Sequence, residues 1–168
     1  FLYALTARNA DQDPVCDPMM IDSPLVGRAA PQFSAPGLAD ATRRVASGEF
    51  QGKPYVLNVW GTWCGGCREE HPALVAIAAE TDVPIVGLDW KDDHQAAQQW
   101  LTEFGNPYHA VGVDDDGKIA IDWGVYGAPE TFLVGADGRV LHKRVGPMSV
   151  EIWRSQFAPK LAAGGARP

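Results

Sequence analysis

The sequence predicts an α/β domain in which a central mixed sheet carries helices on both faces. Two apolar runs, 55–60 and 84–90, are each followed by a stretch with helical spacing, so strand and helix alternate. A late pair of short strand-like runs flanks Ala136-Asp137-Gly138-Arg139, which reads as a hairpin and therefore as an antiparallel pair. Third, the pair Cys64-Gly65-Gly66-Cys67 falls at the junction of the first strand with its helix.

Taken in chain order, residues 6–24 carry polar residues and Pro14, Pro18 and Pro24, a composition that makes residues 1–24 read as a tether or arm. The chain opens on Phe1-Leu2-Tyr3-Ala4-Leu5 without an initiator Met, so the expectation is the end of a removed signal or of a membrane anchor just upstream. The folded domain is expected over 25–163, with 164–168 as a tail. Ala30-Pro31-Gln32-Phe33 gives a short extended entry, and Gln51-Gly52-Lys53-Pro54 is turn punctuation before the buried strand Tyr55-Val56-Leu57-Asn58-Val59-Trp60.

From Cys64 the pattern turns helical, with Leu74, Val75, Ile77 and Ala78 on one stripe to about Glu80 and a kink expected at Pro72. The second buried strand, 84–90, leads to a helix over 93–104 that Gly105-Asn106-Pro107 ends. A strand at 108–113, a turn at 114–117, the hairpin strands 131–134 and 140–144, and an amphipathic helix at 150–161 complete the order.

A net charge of −7 with scattered Lys and Arg argues against nucleic acid, whose phosphates need a clustered basic surface. Three cysteines are too few for a disulfide scaffold, so the Cys64/Cys67 pair reads as a site. In an alternating strand–helix unit, Cys-x-x-Cys at this junction is thioredoxin-like. Cys64 in the first helical turn faces unpaired backbone N–H groups and the positive end of the helix dipole, which favours its thiolate. That makes Cys64 the attacking sulfur. Cys67, on the same helical face, is the resolving sulfur and is expected to be the more buried of the two. Gly65 and Gly66 leave room for a substrate backbone, and Trp63 offers it a flat apolar platform. Two other readings stand beside this one. His71 follows Cys67 by four residues and would give a zinc or other metal-binding module a third ligand, although a fourth is missing. A purely structural disulfide would close too small a loop to restrict the unfolded chain much.

Several segments resemble the periplasmic thioredoxin-like proteins of cytochrome c maturation, the DsbE or CcmG family, over roughly residues 23–157. They are Ser23-Pro24-Leu25-Val26-Gly27-Arg28, the run from Asn58 to Pro72, Lys91-Asp92-Asp93, Gly105-Asn106-Pro107-Tyr108, and Gly124-Val125-Tyr126-Gly127-Ala128-Pro129-Glu130-Thr131-Phe132. The last of these is the most specific. The resemblance implies a thioredoxin fold with an N-terminal extension and an insertion between the central strand–helix units. It implies a thiol:disulfide oxidoreductase, tethered to the periplasmic side of the inner membrane, that needs no cofactor beyond its Cys64/Cys67 pair. Its substrate would be the haem-binding Cys-x-x-Cys-His disulfide of apocytochrome c or a partner thiol protein handling it, and a membrane protein of the DsbD or CcdA type would recharge it. A less selective thiol reductase, such as one serving copper-centre assembly, is the alternative within the same chemistry.

The resemblance also places Pro129 as a cis proline beside the sulfurs, with Ala128 and Glu130 bordering the substrate groove. Tyr126 becomes a groove-lining hydroxyl and Glu130 part of an acidic mouth, whereas on the residues alone Tyr126 reads as packing. Glu70, one turn past Cys67, would oppose a negative charge on the sulfurs and raise the thiol pKa, which favours a reductant. Asn58 stands where general thioredoxins carry a buried acid, and an amide takes up no proton, so Glu70 is the candidate acceptor. The competing reading has Glu69 and Glu70 merely complementing the helix dipole, at about 0.3–1 kcal/mol each. The Gly65-Gly66 dipeptide departs from the proline-containing pairs of relatives, which leaves the reduction potential open. Cys16 has no place in the family pattern. It reads as a tail thiol, with a soft-metal site alongside Met19 and Met20 or an intermolecular disulfide as alternatives. His94, His109 and His142 are expected at the surface.

Overall fold

The protein is described by a computed structural model over residues 23–163. The expected arm 1–24, with Cys16, Met19 and Met20, therefore lies outside the described residues except for Ser23 and Pro24, as does the tail 164–168. No helix among the described residues is long and apolar enough to cross a membrane.

A small antiparallel hairpin, β1 (Ser34–Pro36) with β2 (Arg44–Ala46), precedes the main sheet. The sheet has five strands in the order β5-β4-β3-β6-β7: β3 (Tyr55–Trp60), β4 (Ile85–Trp90), β5 (Ala110–Asp114), β6 (Glu130–Val134) and β7 (Val140–Val145). β3 is central, parallel to β4 and antiparallel to β6, and all six of its residues are buried. An apolar run without polar alternation is what a strand covered on both faces requires. Side-chain alternation divides the core in two. Val56 and Trp60 face α1 (Gly65–Glu80) and α2 (His94–Phe104), while Leu57 and Val59 face α3 (Lys118–Asp122) and the N-terminal segment. Asn58 shares the first of these faces.

The helices follow their caps. Asp93 accepts from Ala96 N at 2.8 Å and opens α2, which ends at Gly105 in a positive-φ conformation. α1 runs on through Pro72, where a kink was expected, as one helix of 16 residues. Buried Cys67, Glu70, His71, Leu74 and Ile77 hold it to the sheet, each fully buried aliphatic side chain contributing roughly 1.5–3 kcal/mol. The closing helical stretch covers the expected span in three consecutive pieces: α4 (Val150–Ile152), a π-helical turn (Trp153–Phe157) and α5 (Ala158–Ala163).

Two elements go beyond the sequence expectation. α3 is only five residues long, too short to show a period, and the Asp114 carboxylate holds its first turn by accepting from Ile119 N and Ala120 N. The expected extended entry at 30–33 continues into the β1–β2 hairpin, whose three-residue strands carry little pattern. The expected insertion corresponds to α2 with β5. Without that pair, β3-α1-β4 would pass directly to α3 and the β6–β7 hairpin.

The hairpin seats on β5 at Gly112, where an added Cβ would stand 2.9 Å from Ala35 Cβ and 3.5 Å from Val45 Cβ. Gly112→Ala is expected to overpack this seam and cost roughly 1–3 kcal/mol, seen as a lower urea midpoint. An unchanged midpoint would show that the extension is not packed there.

Candidate active site

The end of β3 delivers the chain to the mouth of α1, and Cys64 is the N-cap residue there. Its sulfur accepts from Cys67 N at 3.1 Å, so it occupies the unpaired N–H groups of the first turn. Cys64 and Cys67 are joined in a disulfide. Cys67 is the more buried, though narrowly, at 3% against 5%. The approach to Cys64 is fixed from β4's side, because Asp92 accepts from both Thr62 N and Thr62 Oγ1 at 2.6 Å. Trp63 is 53% exposed, yet its ring nitrogen donates to Trp90 O at 3.1 Å and its ring meets Trp90 edge-on. The indole is thus an exposed apolar surface with a set orientation.

Opposite the sulfurs stands the loop before β6. The Ala128–Pro129 bond is cis, Pro129 is buried and Ala128 half-buried. Pro129 explains one of the two glycines. A Cβ on Gly66 would come within 2.9 Å of Pro129 Cδ and 3.4 Å of Pro147 Cγ, whereas one on Gly65 would meet nothing. Gly66 lets two loops close on the helix; Gly65 leaves the outer side of the pair open.

Glu70 lies beneath, at 1% exposure. One of its oxygens accepts from Asn58 Nδ2 at 2.8 Å and the other from Met148 N, also at 2.8 Å. Asn58 is itself fully engaged, donating to Thr131 Oγ1 at 3.1 Å and accepting from Tyr108 Oη at 2.8 Å. Burial pushes the Glu70 carboxyl up to about 7, against the opposing pull of Asn58, Met148 N and Arg144. Burial also drives Tyr108 well above its ordinary value, with the negative charges of Glu70 and Asp89 adding, so it remains a neutral donor. Glu69, by contrast, is exposed. Of the two carboxylates considered from sequence, only Glu70 is part of this buried cluster.

Two sequence expectations change. Glu130 is not part of an open acidic mouth. Alternation along β6 sends Thr131 to the Glu70 face and Glu130 to the opposite one, where it is fully buried and ion-paired with Lys143 Nζ at 2.8 Å. From there it accepts from Tyr126 N at 3.2 Å, while Lys143 donates to Gly124 O and lies 5.2 Å from the Tyr126 ring. Glu130 supports the loop instead of facing solvent, and Tyr126, at 60% exposure, is what the loop presents. The metal-binding alternative loses its third ligand. His71 Nδ1 accepts from Trp100 Nε1 at 3.2 Å, so its proton sits on Nε2, which donates to Gly105 O at 2.8 Å. Burial lowers its pKa and keeps it neutral. His94 and His109 are exposed, His94 in an ion pair with Asp115. His142 is half-buried against Phe157.

Sequence reasoning passed over Tyr108, Thr131, the Met148 amide, Lys143 and Asp89. Tyr108 stood inside a noted motif, but only the folded chain brings it to Asn58. Asp89 pairs in register with Trp60, is fully buried, and has no hydrogen-bond partner for either oxygen among the described residues. Burial raises its pKa to about 8, with the negative charges of Asp92, Asp115 and Asp93 adding. The native state therefore keeps a proton that the unfolded chain gives up near pH 4. Between those values rising pH costs stability, because the unfolded state binds fewer protons. Asp89→Asn is expected to remove that slope and to stabilise the protein by on the order of a few kcal/mol at pH 8, with a smaller gain at pH 5. Equal effects on urea unfolding at the two pH values would contradict this.

Comparison with known proteins agrees with this geometry. Residues 25–159 match the Redoxin family. A thiol:disulfide interchange protein DsbE of Pseudomonas aeruginosa is 46% identical over 143 residues, 85% of this chain and 79% of that protein. The DsbE of Allochromatium vinosum is 44% identical over 146 residues, 87% and 81% of the two chains. Among solved structures, a secreted disulfide oxidoreductase of Mycobacterium tuberculosis homologous to Escherichia coli DsbE aligns with a TM-score of 0.66 and 29% identity, covering 79% of this chain and 96% of that one.

Proposed function

The chain belongs to the DsbE family of thiol:disulfide interchange proteins, and from that premise we propose that it is a reductant in cytochrome c biogenesis. Thiol:disulfide oxidoreductase activity comes with the family. The direction of electron flow, the residue roles and the partners are the proposal. The observation that carries it is the disulfide at the α1 N-cap with a buried, nearly neutral-range carboxyl one helical turn beneath.

In the reduced protein Cys64 reacts as thiolate, stabilised by the first-turn N–H groups. It attacks one sulfur of the partner's disulfide, forms a mixed disulfide and releases the other partner sulfur as thiolate. Glu70 takes the Cys67 thiol proton. Cys67 then attacks Cys64 Sγ, closes the intramolecular disulfide and releases the second partner sulfur. Two electrons pass from the dithiol to the partner, and the two thiol protons follow to the partner's sulfurs. With its pKa near 7, Glu70 accepts and returns a proton at neutral pH. Its charge also opposes a second negative charge on the sulfurs, which keeps the thiols protonated and the couple reducing.

Trp63, Tyr126, Ala128 and Pro129 border the groove for the partner chain, and Glu130 backs it through the Tyr126 loop. The partner is the haem-binding Cys-x-x-Cys-His disulfide of apocytochrome c or a thiol protein that handles it, and a membrane donor of the DsbD or CcdA type returns the electrons. The DsbE names of the relatives and the Gly124–Phe132 segment support this reading. Residues 25–163 form the working domain, and residues 1–24 tether it on the periplasmic side of the inner membrane.

Cys67→Ser tests the whole assignment, since without the resolving sulfur the mixed disulfide persists. Expressed in the periplasm, the variant is expected to trap apocytochrome c or its handling protein in a complex that dithiothreitol dissolves. Capture of copper-assembly proteins instead would overturn the cytochrome assignment, and absence of any mixed disulfide would overturn the roles of Cys64 and Cys67.

A further inference from the structure

The loop Gly146-Pro147-Met148, after β7, meets the site at three points. Gly146 N donates to Pro129 O at 2.9 Å, the Pro147 ring lies against Gly66, and Met148 N donates to Glu70 at 2.8 Å. Whatever holds this loop therefore holds one of the two donors to Glu70. Arg144 does so: its Nε donates to Pro147 O at 3.1 Å. On β7 it is the register partner of Thr131, so its side chain leaves the sheet on the face where Thr131, Asn58 and Glu70 meet. It is half-buried, and among the described residues it makes no ion pair that would commit its charge elsewhere.

We propose that Arg144 is a positioning residue for Glu70, which clamps the Pro147–Met148 turn that brings one of the two donors to the carboxyl and adds a positive charge on the same face of the sheet. The inference rests on the reading of Glu70 as proton acceptor for Cys67. Among the described residues that act on Glu70, Arg144 is the one cation. β3 presents the Asn58 amide and β6 the Thr131 hydroxyl behind it. The segment before β5 presents the neutral Tyr108 hydroxyl, and the turn presents the Met148 N–H. On α1 itself, Cys67 is disulfide-bonded and neutral His71 turns to Trp100 and Gly105. Arg144 adds to the downward pull of Asn58 and Met148 N on the carboxyl, against the upward push of burial.

The resolving step isolates this effect. A mixed disulfide between Cys64 and thionitrobenzoate decays as Cys67 attacks, and release of the coloured thiolate gives the rate at each pH. Glu70→Gln is expected to abolish the lower inflection of that profile. Arg144→Gln is expected to move it upward by about half a pH unit or more, and Arg144→Lys, which keeps the charge, to return it toward the wild-type position. Both Arg144 variants are expected to speed hydrogen exchange at the Met148 amide. An inflection that vanishes in Glu70→Gln but stays put in Arg144→Gln overturns the inference and leaves the Glu70 reading standing. An inflection that survives Glu70→Gln overturns that reading and this inference with it.

Discussion

The site depends on keeping one carboxyl out of water while giving each of its oxygens a donor. Left unpaired at that depth, Glu70 would cost several kcal/mol. The chain meets this with a side-chain amide from the central strand and a main-chain N–H from the turn after β7. Those two bonds fasten α1 to β3 and to the 146–148 turn, the same pieces that carry the sulfurs and press on the cis-proline loop. Charge, packing and position are thus settled together. A side chain at position 66 would press on Pro129 and crowd Pro147, the residue before Met148.

The replacement of a strand acid by Asn58 is the economical part of this arrangement. An amide both donates and accepts, so Asn58 joins Glu70, Thr131 and Tyr108 through three bonds without adding a charge. The Glu70 carboxyl then sits on the helix that bears the cysteines, one turn past Cys67. The sheet's two faces divide the other acids. Glu130, on the far face, is neutralised by Lys143 and steadies Tyr126, whereas Asp89, on the near face, has no hydrogen-bond partner among the described residues and keeps its proton. Glu70, unlike Asp89, has a donor to each of its oxygens.

The strands with continuous apolar runs, the long helices with their caps, and the Cys64/Cys67 pair at a strand-to-helix junction were readable because each is a local pattern. Pro129 and Glu70 came from the family motif; the Ala128–Pro129 bond is cis and Glu70 is buried beneath the disulfide. What escaped was non-local or short. Tyr108, Thr131 and Met148 come together only when β5, β6 and the last turn pack around β3, and a five-residue helix such as α3 has no period to detect. Glu130 was misplaced for a different reason: a motif gives a residue's address but not the sheet face it points to. Counting alternation from Asn58 across the β3–β6 register assigns the face, but that register exists only in the folded sheet.

The N-cap sulfur follows the exposed Trp63, the exposed Tyr126 stands on the cis-proline loop, and the Glu70 carboxyl lies buried below. The claim that matters most is that burial holds Glu70 near neutrality. Carbon-13 labelling of glutamate side chains, followed by carboxyl chemical shift against pH in the oxidised protein, reads this directly. The account predicts one resonance, lost in Glu70→Gln, with its midpoint at about 7. A Glu70 midpoint in the ordinary range of about 4–4.5 would contradict it.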